Sequence, residues 1–184
     1  MGFSFKPQAL QGLNLISVEC FHDDRGFFQE CYRRETFREF GVPDLVQDNH
    51  ARSRLNVLRG LHYQLNPAAQ GKLVRCLRGR IYDVAVDIRN GSPTFGNWFG
   101  VELADDNQLM LYVPEGFAHG YCALTDNAEV LYKTTSYWSP QHERTIRWDD
   151  PQIGIQWPIS APILSEKDLS APFLASADIN FKFS

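Results

Sequence analysis

The sequence predicts an all-β protein, a barrel or sandwich of many short strands accompanied by a few short helices. Three observations predict it. Short apolar or alternating runs recur between Leu13 and Tyr137, turn-forming clusters separate them, and helical periodicity is nearly absent.

In order, the runs are Leu13–Val18, Phe27–Tyr32, Leu45–Ala51, Val57–Gln64, Lys72–Leu77, Arg80–Ile88, Trp98–Leu103, Leu109–Val113, Ala118–Leu124 and Glu129–Tyr137. Asp24-Arg25-Gly26, Arg78-Gly79-Arg80, Asn90-Gly91-Ser92-Pro93 and Asp105-Asp106-Asn107 supply turns between them. Arg34–Phe40, closed by Gly41, has helical spacing, as do a few turns near the C-terminus. Arg80–Ile88 alternates most cleanly. Tyr82, Val84, Val86 and Ile88 share one face; Ile81, Asp83, Ala85 and Asp87 share the other. Asp83 is expected to look into a polar lumen and Asp87 to face solvent. After Trp148-Asp149-Asp150-Pro151 the alternation dissolves into proline-rich chain. Residues 1–184 are therefore expected to form one domain, its C-terminal extension (about 150–184) draped over the barrel for want of a core of its own.

Composition narrows the function. A net charge of −4 over 184 residues argues against a nucleic-acid surface, which needs clustered excess lysine and arginine. No run approaches the roughly 18 apolar residues of a membrane span, and no basic segment followed by an apolar one opens the chain. Cys20, Cys31, Cys76 and Cys122 form no C-x-x-C pair and read as reduced thiols. A cytoplasmic location is expected, with neither nucleic acid nor membrane as partner.

The chemistry concentrates in Val57-Leu58-Arg59-Gly60-Leu61-His62-Tyr63-Gln64, Gly71-Lys72-Leu73-Val74-Arg75 and Pro114-Glu115-Gly116-Phe117-Ala118-His119-Gly120. Apolar strands rarely carry arginine, histidine and lysine unless something is bound there, because burying an unpaired charge is costly. A pocket for an anionic, oxygen-rich ligand follows. His62 is the candidate general base, since imidazole titrates near neutrality. Asp83 or Asp168 would hold its other ring nitrogen. Arg25, Arg59 and Lys167 suit a phosphate or diphosphate if the fold gathers them. Gln47 and Asn49, two apart, share a strand face and suit a sugar or base, although spacing alone favours a solvated edge strand. Tyr132, if turned to a polar lumen, has a phenol able to donate a proton. Trp138, before Ser139-Pro140, offers a surface for nucleobase stacking, worth roughly 1–3 kcal/mol. A metal centre is not expected. The position two beyond His62 is Gln64 rather than a ligand, Lys72 would repel a divalent ion, and His62 with His119 supplies too few donors.

These motifs, with Asp23-Asp24-Arg25-Gly26-Phe27-Phe28, Tyr132-Lys133 and Ser165-Glu166-Lys167-Asp168, closely resemble the dTDP-4-dehydrorhamnose 3,5-epimerase family over nearly the whole chain. The resemblance implies a cupin jelly roll and a homodimer whose N-terminal strand region crosses to the partner. It implies epimerisation of dTDP-4-dehydro-6-deoxy-D-glucose at C3 and C5, in dTDP-L-rhamnose biosynthesis, without cofactor or metal. Position by position it implies His62 as base, Tyr132 as acid, Asp168 as the base's partner, Asp83 as a supporting carboxylate and Lys72 beside the keto oxygen. Arg25, Glu30, Gln47, Asn49, Arg59, His119, Trp138, Glu143 and Lys167 would bind the nucleotide sugar. Trp138 stands where the family commonly has tyrosine, keeping the ring face without the phenol. The alternatives are a single-carbon epimerase, a 3,4-ketoisomerase, a non-catalytic sugar-binding cupin and a metal-dependent cupin oxygenase. Arg59 and His62 are an odd number apart, so a shared face requires a bulge at Gly60.

Overall fold

Alternating sequence becomes two antiparallel sheets laid face to face in a jelly roll. The computed structural model describes residues 2–183. The strands are β1 (Phe3–Pro7), β2 (Asn14–Val18), β3 (Phe21–Asp23), β4 (Gly26–Phe28), β5 (Gln47–Ser53), β6 (Leu58–Gln64), β7 (Lys72–Arg78), β8 (Arg80–Asp87), β9 (Trp98–Ala104), β10 (Leu109–Val113), β11 (Phe117–Ala123), β12 (Ala128–Thr134) and β13 (Glu143–Thr145). Helix α1 (Arg34–Glu39) and helix α2 (Glu166–Leu169) are short. One sheet has the order β1-β2-β10-β7-β12-β5 and the other β13-β6-β11-β8-β9, while β3 and β4 form a separate hairpin.

Between the sheets lies an apolar layer that includes Leu13, Val74, Cys76, Ile81, Ala85, Leu111, Phe117 and Val130. Each sheet's outer face is covered as well. Phe37 of α1 and Val42 pack with Ile16, Leu73, Met110 and Tyr112 behind the six-stranded sheet. Ile153, Leu174 and Phe181 of the proline-rich C-terminal chain pack with Leu61, Tyr63, Val84, Val86 and Ile88 behind the five-stranded one. β8 is therefore buried on both faces, as the apolar set Tyr82, Val84, Val86 and Ile88 requires.

Three features differ from expectation. The strand expected over Phe27–Tyr32 stops at Phe28 and pairs only with Phe21–Asp23, because neither sheet runs beside it. β1 and β13 were not expected, being short edge strands with little periodicity to read. Asp87 is fully buried rather than solvent-facing. Its carboxylate accepts from Arg89 Nε (2.9 Å), Ser92 Oγ (2.7 Å) and Thr94 Oγ1 (2.7 Å), so it pins the loop after β8. The four cysteines are free thiols. Among the described residues no helix is long and apolar enough to cross a membrane.

Candidate active site

The interior changes character along its length, apolar at one end and polar at the other. At the polar end two adjoining cavities of about 280 and 230 Å³ share His62, Lys72, Tyr132 and Glu143 in their walls. The first extends over Gln47, Asn49, Gln64, Gln70 and Trp138; the second reaches Arg59, His119 and Tyr121.

The five-stranded sheet provides one wall. His62 on β6 sits opposite His119 on β11, and Arg59 opposite Tyr121. Two β6 residues, Gly60 and Leu61, thus face only Gly120, which makes the expected bulge and returns Arg59 and His62 to one face. Glycine is required there. Gly60 has φ +139°, and a Cβ on it would lie 2.5 Å from the Gly120 Cα. Edge strand β13 adds Glu143, opposite Gln64. The facing sheet provides Lys72 from β7 and Tyr132 from β12, with Asn49 of β5 beside Tyr132 in register.

Two histidine–carboxylate pairs result. His62 Nε2 lies 2.5 Å from Asp168 Oδ1, a carboxylate delivered by α2 and 3% exposed. Ser165 caps α2 by accepting from the Asp168 N–H, and its hydroxyl donates to Asp168 Oδ2 at 2.9 Å, so the carboxylate's orientation is set from its own helix. With Nε2–H given to Asp168, Nδ1 is the nitrogen left to accept a proton. The second pair is His119 Nε2 to fully buried Asp83 Oδ1, 2.9 Å. Lys72 reaches across from the other sheet to donate to the His62 carbonyl at 3.1 Å.

Burial sets the protonation states. It pushes the His62 imidazole below its ordinary pKa, further than the Asp168 carboxylate pulls it back, and Lys72 and Lys167 add to the fall. Burial raises Asp168, but the bonds from His62 and Ser165 and the Lys167 charge more than offset that, leaving it below the usual carboxylate range. Burial brings Lys72 down to about 8, with Asp83 and Glu143 opposing. Burial, then Tyr121, raises the Tyr132 phenol, with Arg59 opposing. At neutral pH the site therefore holds a neutral imidazole, a lysine still cationic and a phenol that keeps its proton. A proton acceptor and a proton donor stand on opposite sheets, with a cation beside the space between them.

A model of the dTDP-4-dehydrorhamnose 3,5-epimerase family matches residues 7–176. The chain belongs to that family. It is 52% identical over 166 residues to dTDP-4-dehydrorhamnose 3,5-epimerase of Shigella flexneri, covering 89% of this chain and 92% of that protein. It superposes with a TM-score of 0.96, at 41% identity and over 100% of both chains, on the dTDP-6-deoxy-D-glucose-3,5-epimerase of Legionella pneumophila solved with dTDP-4-keto-L-rhamnose. A 3'-monoepimerase of Streptomyces bikiniensis, solved with dTDP-quinovose, gives 0.88 at 36% identity, covering 92% of this chain and 87% of that one.

The epimerase fold gathers most of the residues marked in the sequence. Gln47, Asn49, Arg59, His62, Lys72, His119, Tyr132, Trp138 and Glu143 line the joined cavities. Asp168 and Asp83 stand behind the two histidines. Lys167 is paired with Glu143 at 2.7 Å. Arg25 and Glu30 are not brought there. Arg25 lies in the turn of the β3–β4 hairpin, paired with Asp23 and with its side chain 90% exposed; Glu30 pairs with Arg33. Sequence reasoning passed over Tyr121 and Ser53. Tyr121 stands two residues from His119 on β11, a period-two spacing that would have found it. Its phenol lies 3.3 Å from Ser53 Oγ, which also accepts from Arg59 Nε at 3.1 Å. Among the described residues no three His, Cys, Asp or Glu side chains converge as a metal site would require.

Proposed function

We propose that this chain epimerises dTDP-4-dehydro-6-deoxy-D-glucose at C3 and C5 to dTDP-4-dehydro-L-rhamnose, a step of dTDP-L-rhamnose biosynthesis. The observation that carries this reading is the placement of His62, held by Asp168, and Tyr132 on facing sheets of one cavity, with Lys72 in the same lining. The 4-keto group acidifies the hydrogens on both flanking carbons. His62 removes one through Nδ1, the developing enolate oxygen lies against the Lys72 ammonium, and Tyr132 returns a proton from the opposite face. Configuration inverts because acid and base occupy different walls. Asp168 keeps the proton on Nε2 and stabilises the imidazolium that forms. Base catalysis of this kind contributes roughly 10²–10⁴-fold, and one preorganised oxyanion donor about 10²–10³-fold.

Arg59 and His119 receive the diphosphate, and Asn49, Trp138 and the Glu143–Lys167 pair the rest of the nucleotide sugar. Arg25 and Glu30 complete a binding site in a second copy. Phe27 and Phe28, 59% and 62% exposed, line the same projecting hairpin, an apolar surface that a homodimer would cover. Localisation in the cytoplasm is consistent with four free thiols.

A second reading is single-carbon epimerisation, favoured by the likeness to the 3'-monoepimerase. Proton NMR of the 4-keto substrate in D₂O with enzyme separates them. Deuterium entering at both C3 and C5, with the L-sugar formed, supports the double epimerase; entry at one carbon alone overturns it in favour of the second reading.

A further inference from the structure

Gln64 occupies the position in its strand where a metal-binding barrel would carry a ligand, and its amide is used otherwise. The side chain is 3% exposed. Its Nε2 donates to the Ala68 carbonyl at 2.6 Å and the Tyr137 carbonyl at 3.2 Å, and its Oε1 accepts from the Ser139 N–H at 2.7 Å. Two of these bonds bracket Trp138, one on each side. The Trp138 N–H itself goes to Gln47 Oε1 at 2.9 Å. One step earlier, Gln70 Nε2 donates to the Ser136 carbonyl at 2.7 Å. Four consecutive residues after β12 are thus held through their backbone by three glutamine side chains from different segments of the chain. The Trp138 indole is 58% exposed, so packing does not fix it.

We propose that Gln64, assisted by Gln70 and Gln47, is a positioning residue that presets the 136–139 corner, so that Trp138 stands ready as a stacking surface for the nucleobase. The inference rests on the reading of Trp138 as that surface. A primary amide suits the task because it offers a donor and an acceptor side by side and can replace the neighbouring strand that this corner lacks. Without it, the Tyr137 carbonyl and the Ser139 N–H lose their partner, the Ala68 carbonyl keeps only Ser136 Oγ at 3.3 Å, and the ligand must order the corner when it binds. The loss falls on binding, since Gln64 has no free polar atom for the reacting carbons.

The test is a double-mutant cycle on the full chain, titrating dTDP by calorimetry into the parent, Gln64→Leu, Trp138→Ala and the double variant. Gln64→Leu is expected to weaken dTDP binding about five- to tenfold, with KM following and kcat changing less than about threefold. In the Trp138→Ala background the same substitution should matter less than about twofold. The part of the dTDP-induced fluorescence change that disappears in Trp138→Phe should also shrink in Gln64→Leu at saturating dTDP. Gln70→Ala, which removes one of the two bonds to the Ser136 carbonyl and leaves that from Thr134 Oγ1, should show the same non-additivity at smaller amplitude and serves if Gln64→Leu folds poorly. Additive losses, or a fall in kcat larger than the rise in Kd, overturn the proposal by making Gln64 an independent contact. If Trp138→Ala binds dTDP as the parent does, the stacking reading itself fails, and this proposal with it.

Discussion

Lys72→Met is expected to make this protein inactive and more stable. The lysine is 8% exposed, and burial brings its pKa from 10.5 to about 8. At 1.36 kcal/mol per unit, holding its charge at pH 7 costs the fold about 3 kcal/mol. Methionine matches the stem and removes the charge, but forfeits the bond from Nζ to the His62 carbonyl, worth about 1 kcal/mol. The net gain is about 2 kcal/mol, or about 4–8 °C in Tm for a chain this long. The sign follows from linkage. The unfolded state holds the lysine proton more tightly than the folded state, so the parent's penalty is complete below pH 8 and fades as pH rises towards 10.5. By pH 10 it is about 1 kcal/mol, which the lost hydrogen bond cancels. Urea unfolding of both proteins at pH 7 and pH 10 measures the two gaps, and turnover of the 4-keto sugar should drop about 10²–10³-fold from loss of the enolate's cation. A variant less stable than the parent at pH 7, or a stability gap that does not narrow by pH 10, would refute the reasoning.

The remaining tests concern proton transfer. Asp168→Asn should lower solvent exchange and net inversion together by about 10–100-fold, the worth of a charge-assisted hydrogen bond, because abstraction precedes both; a change under threefold in deuterium wash-in would leave the carboxylate no role. Tyr132→Phe should separate the two readouts: exchange by His62 continues while inversion falls, and equal loss in one NMR tube would make Tyr132 a positioning group. His62→Ala should abolish exchange at C3 and C5 while dTDP binding persists, which residual exchange would contradict. Because burial lowers the His62 pKa, the base stays neutral as pH falls through 6.5, so kcat/KM should hold there and decline only below it; a half-point at or above 6.5 would not fit. Activity should survive exhaustive chelation, and restoration by one divalent ion after a loss would overturn a metal-free site.

Much of this site was legible because β-structure converts spacing into direction. Gln47 and Asn49, or His119 and Tyr121, share a face by period two, and glycine at position 60 marked the bulge that aligns Arg59 with His62. What spacing cannot convey is which strands become neighbours. His62 is followed in the chain by Lys72 on the opposite sheet, while its carboxylate partner arrives from α2, 106 residues away. Spacing alone therefore leaves Asp83 and Asp168 open, where the resemblance implies Asp168, and the fold divides them: Asp168 serves His62 and Asp83 serves His119. Asp87 was misjudged for a related reason. Alternation puts it on a face but says nothing of the Arg89, Ser92 and Thr94 groups that a turn folds back onto it. Arg25 and Glu30 mark the remaining limit, since a single chain leaves them away from the cavity they resemble parts of.

The two-sheet architecture and the chemistry of inversion are linked by a simple requirement. The keto sugar must lose a proton from one face and the planar enolate so formed must gain one on the other, so base and acid must be held apart by the thickness of a sugar. One strand places neighbouring side chains of a face side by side, and one sheet extends that arrangement only laterally. Two packed sheets, about 10 Å apart, place groups across from one another with no further device. The same geometry explains where the electrostatic cost lies. Lys72, Asp83, His119 and Asp168 are all buried within one end of the interior, where each has a charged or hydrogen-bonding partner. The apolar layer beside them includes Leu13, Ile81, Leu103 and Val130, whose burial contributes stability without polar obligations. The apolar layer keeps the sheets in register, and that register sets the distance between His62 and Tyr132. An apolar truncation such as Leu111→Ala, two strands from Tyr132 in register and outside the cavity lining, would thus be felt first as lost stability, and in catalysis only through the spacing of the walls.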